Sequence, residues 1–476
     1  MVMGSLRQEA EIVVIGAGPG GYVAAIRAAD LGREVVLVDE RPQPGGACLL
    51  EGCIPSKALI HAVEVASLAR EAKRIGLDFA APGVDLARLR TFVSGVVSGL
   101  SSGVQTLLKK RGVEYVQGRA RFDGPHSLAI EGAASAGIDF RHAIIATGSR
   151  ARRLALAGEL PVWGSAEALA LPEVPHRLVV IGGGYIGLEL GLVYAGLGAE
   201  VTLVEFSPRF LPGADPDLVE IMVRSASKRL HRVLVDSRVA GVERRAGGYA
   251  LRVEHGGAQE TLEAEQVLAA VGRDPATAGL GLESLGLAPD SRGFLHVDEM
   301  GRTRVPGIWA LGDVTPGPML AHKASREAKV VAEAISGHKS AFDNRAIPAV
   351  VYTDPELAWA GLTEQEARTQ GRAVKVGAFP LRALGRARTL DRTDGLVKVL
   401  ADPSSGLVLG VGIVGPHASE MIAEGVLALE LGATLEDLLV TIHPHPTLSE
   451  AILEAAEVAA GQAVHVLPGA SQGARA

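Results

Sequence analysis

Glu11-Ile12-Val13-Val14-Ile15-Gly16-Ala17-Gly18-Pro19-Gly20-Gly21 joins a short apolar run to a glycine-rich turn, and this junction decides the fold. The run reads as a buried strand, and the turn opens a helix to about Leu31. A second strand, Val35-Val36-Leu37-Val38, ends in Asp39. Strand, glycine turn, helix, strand and terminal acid together form a dinucleotide-binding unit. In it Gly16 makes the turn, Gly18 lets the backbone approach a pyrophosphate, and Gly21 lets helix and sheet pack closely. Asp39 is placed to accept ribose hydroxyls. Without that context a bare glycine pattern is weak.

The pattern recurs. Leu178-Val179-Val180-Ile181 leads into Gly182-Gly183-Gly184-Tyr185-Ile186-Gly187, and Val201-Thr202-Leu203-Val204 ends in Glu205. The acid follows the first glycine by 23 residues in both copies (39 − 16 and 205 − 182). Two such units imply two dinucleotides. A carboxylate at Glu205 accepts from a 2′-hydroxyl and repels a 2′-phosphate, which favours NAD over NADP, with Arg209 the nearby cation that opposes this.

Further strands are expected at Val113–Val116, Ser127–Ile130 and His142–Ala146; the second unit closes at Val267–Arg273, and an apolar strand lies within Val305–Val314. Helices are expected from Ala58 to about Lys110, and a linker with a short helix from Arg150 to Pro175. Thr147 and Gly148 follow one strand at a turn that brings amides towards a nucleotide, and Asp313 follows another as a hydroxyl-binding carboxylate. From Ile347 the glycine fingerprints cease. Strands and helices around Ser419–Leu431 and Glu450–Ala460 read as a separate α+β domain, so the fold class is α/β with two Rossmann-like domains and a C-terminal α+β domain.

Cys48 and Cys53 are the whole cysteine inventory of 476 residues. Two packed hydrophobes are the bland reading. Bridging requires Cα atoms within about 4.4–6.8 Å, whereas five extended residues span roughly 17 Å, so the segment must coil. Gly45, Gly46 and Gly52 allow that. Pro55 in a first turn puts Cys53 at a helix start, where the dipole favours a thiolate, and Lys57 adds a positive charge. A loop this short gains little stability from closure, so the pair reads as redox-active.

A net charge of −7 and pI near 6.0 give no reason to expect nucleic-acid binding. The polar start, Met1 to Ala10, does not read as a signal peptide, and no charge-free apolar run long enough to span a membrane is found. Composition thus predicts a soluble, cytoplasmic protein, where a lone cysteine pair is catalytic or redox-sensing rather than structural.

His443-Pro444-His445-Pro446-Thr447-Leu448-Ser449-Glu450 supplies an acid–base candidate. Prolines flank His445, and Glu450 near a helix start can hold one ring nitrogen and leave the other as a base. The two histidines also raise metal binding, but no third ligand is evident and no metal is expected.

These residues resemble the pyridine nucleotide–disulfide oxidoreductases, and within them the dihydrolipoamide dehydrogenase branch. The resemblance covers nearly the whole chain. It rests on Gly16–Gly21, Cys48–Lys57, Ala146-Thr147-Gly148, Gly182–Glu189, Glu205, Ala310–Asp313, Met319–Lys323, Tyr352–Glu356 and His443–Glu450. It implies FAD at Gly16, Gly18, Gly21, Asp39, Lys57, Gly118, Thr147, Gly148, Asp313 and Ala321. It implies NAD at Gly182, Gly184, Gly187, Glu189, Glu205, Val239 and Gly272.

The implied layout is an FAD domain (1–150), an NAD domain (151–275), a central domain (276–346) and a dimerisation domain (347–476). The implied partners are a second copy, whose disulfide His445 would serve, and the lipoyl domains of a 2-oxoacid dehydrogenase complex or a glycine-cleavage H-protein. Cys48 would exchange with substrate and Cys53 would face the flavin. Three positions depart from the common pattern. Ala47 replaces threonine, Leu50-Glu51 replaces Asn-Val, and Tyr185 resembles glutathione reductase-like relatives. The rival readings are such a reductase or a non-catalytic scaffold. The second would be expected to lose Cys48, Cys53, His445 or Glu450, all of which are present.

Overall fold

A computed structural model describes residues 7–132 and 137–467. The first part of the polar start, Met1 to Leu6, lies outside the described residues. The chain forms two compact units. The first comprises the chain through Arg153, Gly164–Glu173 and Val271–Asp343, and the second Leu154–Trp163, Val174–Ala270 and the chain from Asn344.

In the first unit the opening strand runs Arg7–Ile15 and pairs in parallel with Val35–Asp39 on one side and Gly137–Ile145 on the other. Parallel neighbours need a crossover, and Pro19–Asp30 is that helix. Glu114–Gln117 adds the outer parallel strand. Beyond Gly137–Ile145 the sheet turns antiparallel through Ser127–Glu131 and Arg119–Gly124, while Ile308–Ala310 extends it in parallel. Within the expected Val305–Val314 stretch the apolar strand is Ile308–Ala310; Val305-Pro306-Gly307 before it is a turn, where Pro306 has no N–H to donate.

Alternate residues of the central strands enter two cores. Val13, Ile15, Val36, Val38, Ala143 and Ile145 pack on one face. Ile12, Val14, Val35, Leu37 and Ile144 pack on the other against Ala24, Ala25 and Ala28 of the crossover helix and Val331 and Ala332 of the helix Ala321–Ile335. Burial on both faces explains the continuous apolar runs in the sequence.

The segment expected to be helical resolves into Cys53–Glu71 and Leu86–Lys110, the second capped by the Asp85 carboxylate. By length and composition Leu86–Lys110 is long and apolar enough to cross a membrane, and 17% of its most apolar window is buried.

The second unit repeats the parallel arrangement in the order Arg232–Leu234, Glu200–Val204, Arg177–Ile181, Gln266–Ala269, with Tyr185–Leu197 as crossover helix. A three-stranded antiparallel sheet, Ser237–Arg245, Gly248–His255 and Ala258–Ala264, has no counterpart in the sequence reading. From Ala349 a five-stranded antiparallel sheet forms, and the helices Ala418–Leu431 and Glu450–Ala460 share its core.

Candidate active site: a redox pair, two glycine turns and a histidine–glutamate pair

Cys48 and Cys53 form a disulfide with Cα atoms 4.8 Å apart. Chain coiling occurs as two helical pieces, Gly46–Glu51 and Cys53–Glu71, hinged at Gly52. Cys53 is the first residue of the longer helix and Lys57 lies one turn along it. The amide of Gly45 donates to Ala17 O at 2.8 Å, and the α-carbons of Gly46 and Gly18 face each other so closely that a Cβ on Gly46 would lie 2.4 Å from Gly18. The redox segment is therefore anchored to the nucleotide turn itself. Glu51, the extra charge near the disulfide, pairs with Arg41 at 2.8 Å.

The two glycine turns are built alike. A Cβ on Gly21 would lie 1.7 Å from Gly16 O, and one on Gly187 would lie 1.9 Å from Gly182 O, so each helix start packs where no side chain fits. Each terminal acid is fixed by the same two amides. Asp39 accepts from Ala17 N at 2.6 Å and Arg41 N at 2.9 Å; Glu205 accepts from Gly183 N and Ser207 N, both at 2.6 Å. Neither helix has a side-chain cap at its N-terminus. A Cβ at Gly184 would project into open space. Uncapped amides, a positive dipole end and a carboxylate beside the turn match a dinucleotide's pyrophosphate and ribose.

Of the remaining candidates in the first unit, Gly118, Thr147, Gly148 and Asp313 follow the carboxyl ends of parallel strands of the same sheet. Gly118 N donates to Asp39 O. Thr147 Oγ1 donates to Ala276 O at 2.8 Å, and Ala276 N donates to Gly148 O. Asp313 accepts a 2.5 Å hydrogen bond from Ser149, whose hydroxyl in turn accepts from Arg273 Nε at 2.7 Å. Ala321 opens the helix Ala321–Ile335. Gly272, expected beside NAD, belongs to the first unit, where its carbonyl accepts from Arg152 N. In the second unit Glu189 is buried in the crossover helix and accepts from Tyr352 N at 3.0 Å, and Val239 is buried on its strand.

His445 Nδ1 lies 2.8 Å from Glu450 Oε1, and Thr447 N donates to the other carboxylate oxygen at 2.7 Å. A carboxylate can only accept, so Nδ1 carries a proton, and in the neutral imidazole Nε2 is the nitrogen that holds the lone pair. The imidazole is 78% exposed, which leaves Nε2 reachable. Burial pushes the Glu450 carboxyl upwards, but the Thr447 amide and His445 outweigh it and hold the carboxyl below its usual range. His443 has a separate carboxylate, Glu424, at 2.7 Å.

Sequence reasoning gave no role to the side chains of Ser149, Arg273, Glu327 and Glu424. Lys323 and Glu327 stand four apart on a helix beside Asp313, a spacing that signals an ion pair. Nothing in the linear chain linked Glu424 to His443.

A family model described as "Pyridine nucleotide-disulphide oxidoreductase" matches residues 10–328, and its dimerisation domain matches 347–456. The chain is 48% identical over 475 residues to a dihydrolipoyl dehydrogenase of Haloferax volcanii, covering 98% of this chain and 100% of that one. It is 47% identical to the dihydrolipoyl dehydrogenase of Thermus scotoductus, covering 96% and 99%. LpdA from Mycobacterium tuberculosis superposes with a TM-score of 0.86 at 29% identity, covering 94% and 99%. The HOCl-induced flavoprotein disulfide reductase RclA from Escherichia coli does so with a TM-score of 0.82 at 28% identity, covering 93% and 98%. With its redox disulfide, paired glycine turns and dimerisation domain, this chain belongs to the pyridine nucleotide–disulphide oxidoreductases.

Proposed function

We propose that this protein is an FAD-dependent dihydrolipoyl dehydrogenase: dihydrolipoamide + NAD+ → lipoamide + NADH + H+. The observation that carries this is the Cys48–Cys53 disulfide at a helix start, in a chain nearly half identical to full-length dihydrolipoyl dehydrogenases. Bound FAD supplies a two-electron relay between the thiols and NAD+.

The chain's own residues do the rest. Nε2 of His445 takes a thiol proton from dihydrolipoamide, and Glu450 stabilises the imidazolium that forms. The substrate thiolate attacks Cys48 Sγ; the S–S bond breaks and its electron pair leaves on Cys53 Sγ as a thiolate. The second substrate thiol then displaces Cys48 from the mixed disulfide, releasing lipoamide and leaving both cysteines reduced. The helix dipole and Lys57 favour the Cys53 thiolate.

FAD fits the first glycine turn with Asp39, Gly118, Thr147, Gly148, Asp313 and Ala321, and NAD the second with Glu189, Glu205 and Val239. The chain divides functionally at residues 150, 275 and 346. It works as a homodimer, with the exposed His445 offered to the disulfide of a second copy. Its electron donors are lipoyl domains of a 2-oxoacid dehydrogenase complex or an H-protein, in the cytoplasm. Tyr185, 38% exposed at the second helix start, favours the rival glutathione reductase-like reading, whereas Glu205 favours NAD.

The purified protein is assayed with dihydrolipoamide and NAD+, and in parallel with glutathione disulfide and NADPH. Robust NADH formation in the first assay is expected; its absence overturns the proposal. Copurification with an acyltransferase core identifies the parent complex.

A further inference from the structure

Asp313 follows the strand Ile308–Ala310 on a three-residue helical turn, Gly312–Val314, whose Gly312 carbonyl accepts from Thr315 N at 3.1 Å and Thr315 Oγ1 at 2.8 Å. Two side chains from another helix add to this grip. Lys323 and Glu327 lie one turn apart on Ala321–Ile335, with side chains 3% and 13% exposed and Nζ 2.8 Å from Oε1. The lysine Nζ also donates to Gly312 O at 3.3 Å and to Thr315 Oγ1 at 3.2 Å. The second carboxylate oxygen of Glu327 accepts from Gly312 N at 2.7 Å.

One ion pair thus grips both the N–H and the C=O of Gly312, which sits at φ +78°. Those groups belong to the peptide planes on either side of its α-carbon, and the second plane leads directly into Asp313. The Asp313 carboxylate itself accepts from Ser149, whose hydroxyl is held by Arg273. A buried ion pair contributes little net stability compared with a hydrophobic pair of similar volume, so stability alone does not account for it. Burial lifts the Glu327 carboxyl, and the nearby Asp313 lifts it further against Lys323 and the Gly312 amide.

We propose that the Lys323–Glu327 pair is a positioning device for the flavin nucleotide, holding the Gly312 peptides so that the Asp313 carboxylate meets a ribityl hydroxyl. This rests on the FAD assignment above. Neither residue touches the cofactor in this proposal; both act through Gly312.

The test measures FAD affinity by titrating deflavinated protein and following flavin fluorescence, with melting of the same apoproteins as the control for folding. The variants are E327Q, the apolar double variant K323M/E327L, D313N and E327Q/D313N. The expected result is apoprotein melting close to wild type, with FAD dissociation constants raised about tenfold or more in E327Q and K323M/E327L. In the D313N background E327Q adds little, because the group it positions is already lost. Wild-type affinity in K323M/E327L overturns the proposal, as do fully additive losses in E327Q/D313N. Collapse of the fold in both E327Q and K323M/E327L also overturns it, making the pair a structural staple. A wild-type protein that takes up no FAD overturns the functional reading instead.

Discussion

Glu450→Gln tests the proposed acid–base pair with almost no change in shape. In the wild type one carboxylate oxygen faces Nδ1 of His445 at 2.8 Å and the other faces the Thr447 amide at 2.7 Å. Both neighbours donate, and a carboxylate accepts from both. Glutamine offers one acceptor and one donor. If its oxygen faces Thr447, its NH2 meets Nδ1, which must then surrender its proton; the tautomer inverts and Nε2 ceases to be a base. If its oxygen faces Nδ1, its NH2 opposes the Thr447 N–H and that amide is left unsatisfied. Either way the charge that steadies the imidazolium is gone. A hydrogen bond to a charged group contributes about 1.5–3 kcal/mol, so kcat/KM for dihydrolipoamide should fall about 10- to 150-fold. The assay compares dihydrolipoamide-dependent NADH formation with NADH-dependent reduction of an artificial dye, which needs no thiol deprotonation. The ratio of the two rates should fall by that same factor. A ratio within about threefold of wild type would refute the reasoning, because an intact base needs its tautomer fixed.

Cys48→Ser should abolish dihydrolipoamide turnover, since serine cannot form the mixed disulfide; undiminished activity sinks the exchange step. Glu205→Ala should narrow the preference for NAD+ over NADP+ by removing the repulsion of a 2′-phosphate, measured as the ratio of the two kcat/KM values. Lys398, 2% exposed, lies 2.9 Å from Asp215, 3.1 Å from Asp217 and 2.6 Å from Glu364. Lys398→Met leaves those carboxylates without their cation and should destabilise the second unit by about 3–5 kcal/mol, read as a lowered melting temperature. Burial, with Glu454 adding to it against His465, raises the Glu457 carboxyl above its ordinary range. A raised carboxyl stabilises the fold while protonated, below about pH 4.3, and that stability is lost as pH rises through the folded value. Glu457→Gln should therefore raise the melting temperature near pH 7 and leave it unchanged in acid; a lowered value at pH 7 contradicts the burial argument.

Much of this protein was legible in the chain because its determinants are local. A parallel strand buried on both faces must be a continuous apolar run, so Ile12–Ile15 and Leu178–Ile181 announce themselves. A helix that starts against its own turn tolerates only glycine at Gly21 and Gly187, so the nucleotide turns are visible as spacing. Cys48, Cys53, His445 and Glu450 are each held by neighbours a few residues away, and their pairing follows from short-range geometry. The unforeseen antiparallel sheet between Ser237 and Ala264 is different, since half-exposed strands carry only a weak alternation. The orientation of Asp313 is different again. It is decided by Ser149 from 164 positions upstream and by Glu327 from a separate helix, contacts that exist only once the sheet edge and the helix Ala321–Ile335 have packed. Sequence by itself determined which chemistries the chain carries, because turns, periodicity and thiol spacing are written within one or two turns of backbone. Only the tertiary structure decided which distant side chains hold those groups in place, because hydrogen bonds between remote segments depend on packing that no local pattern records.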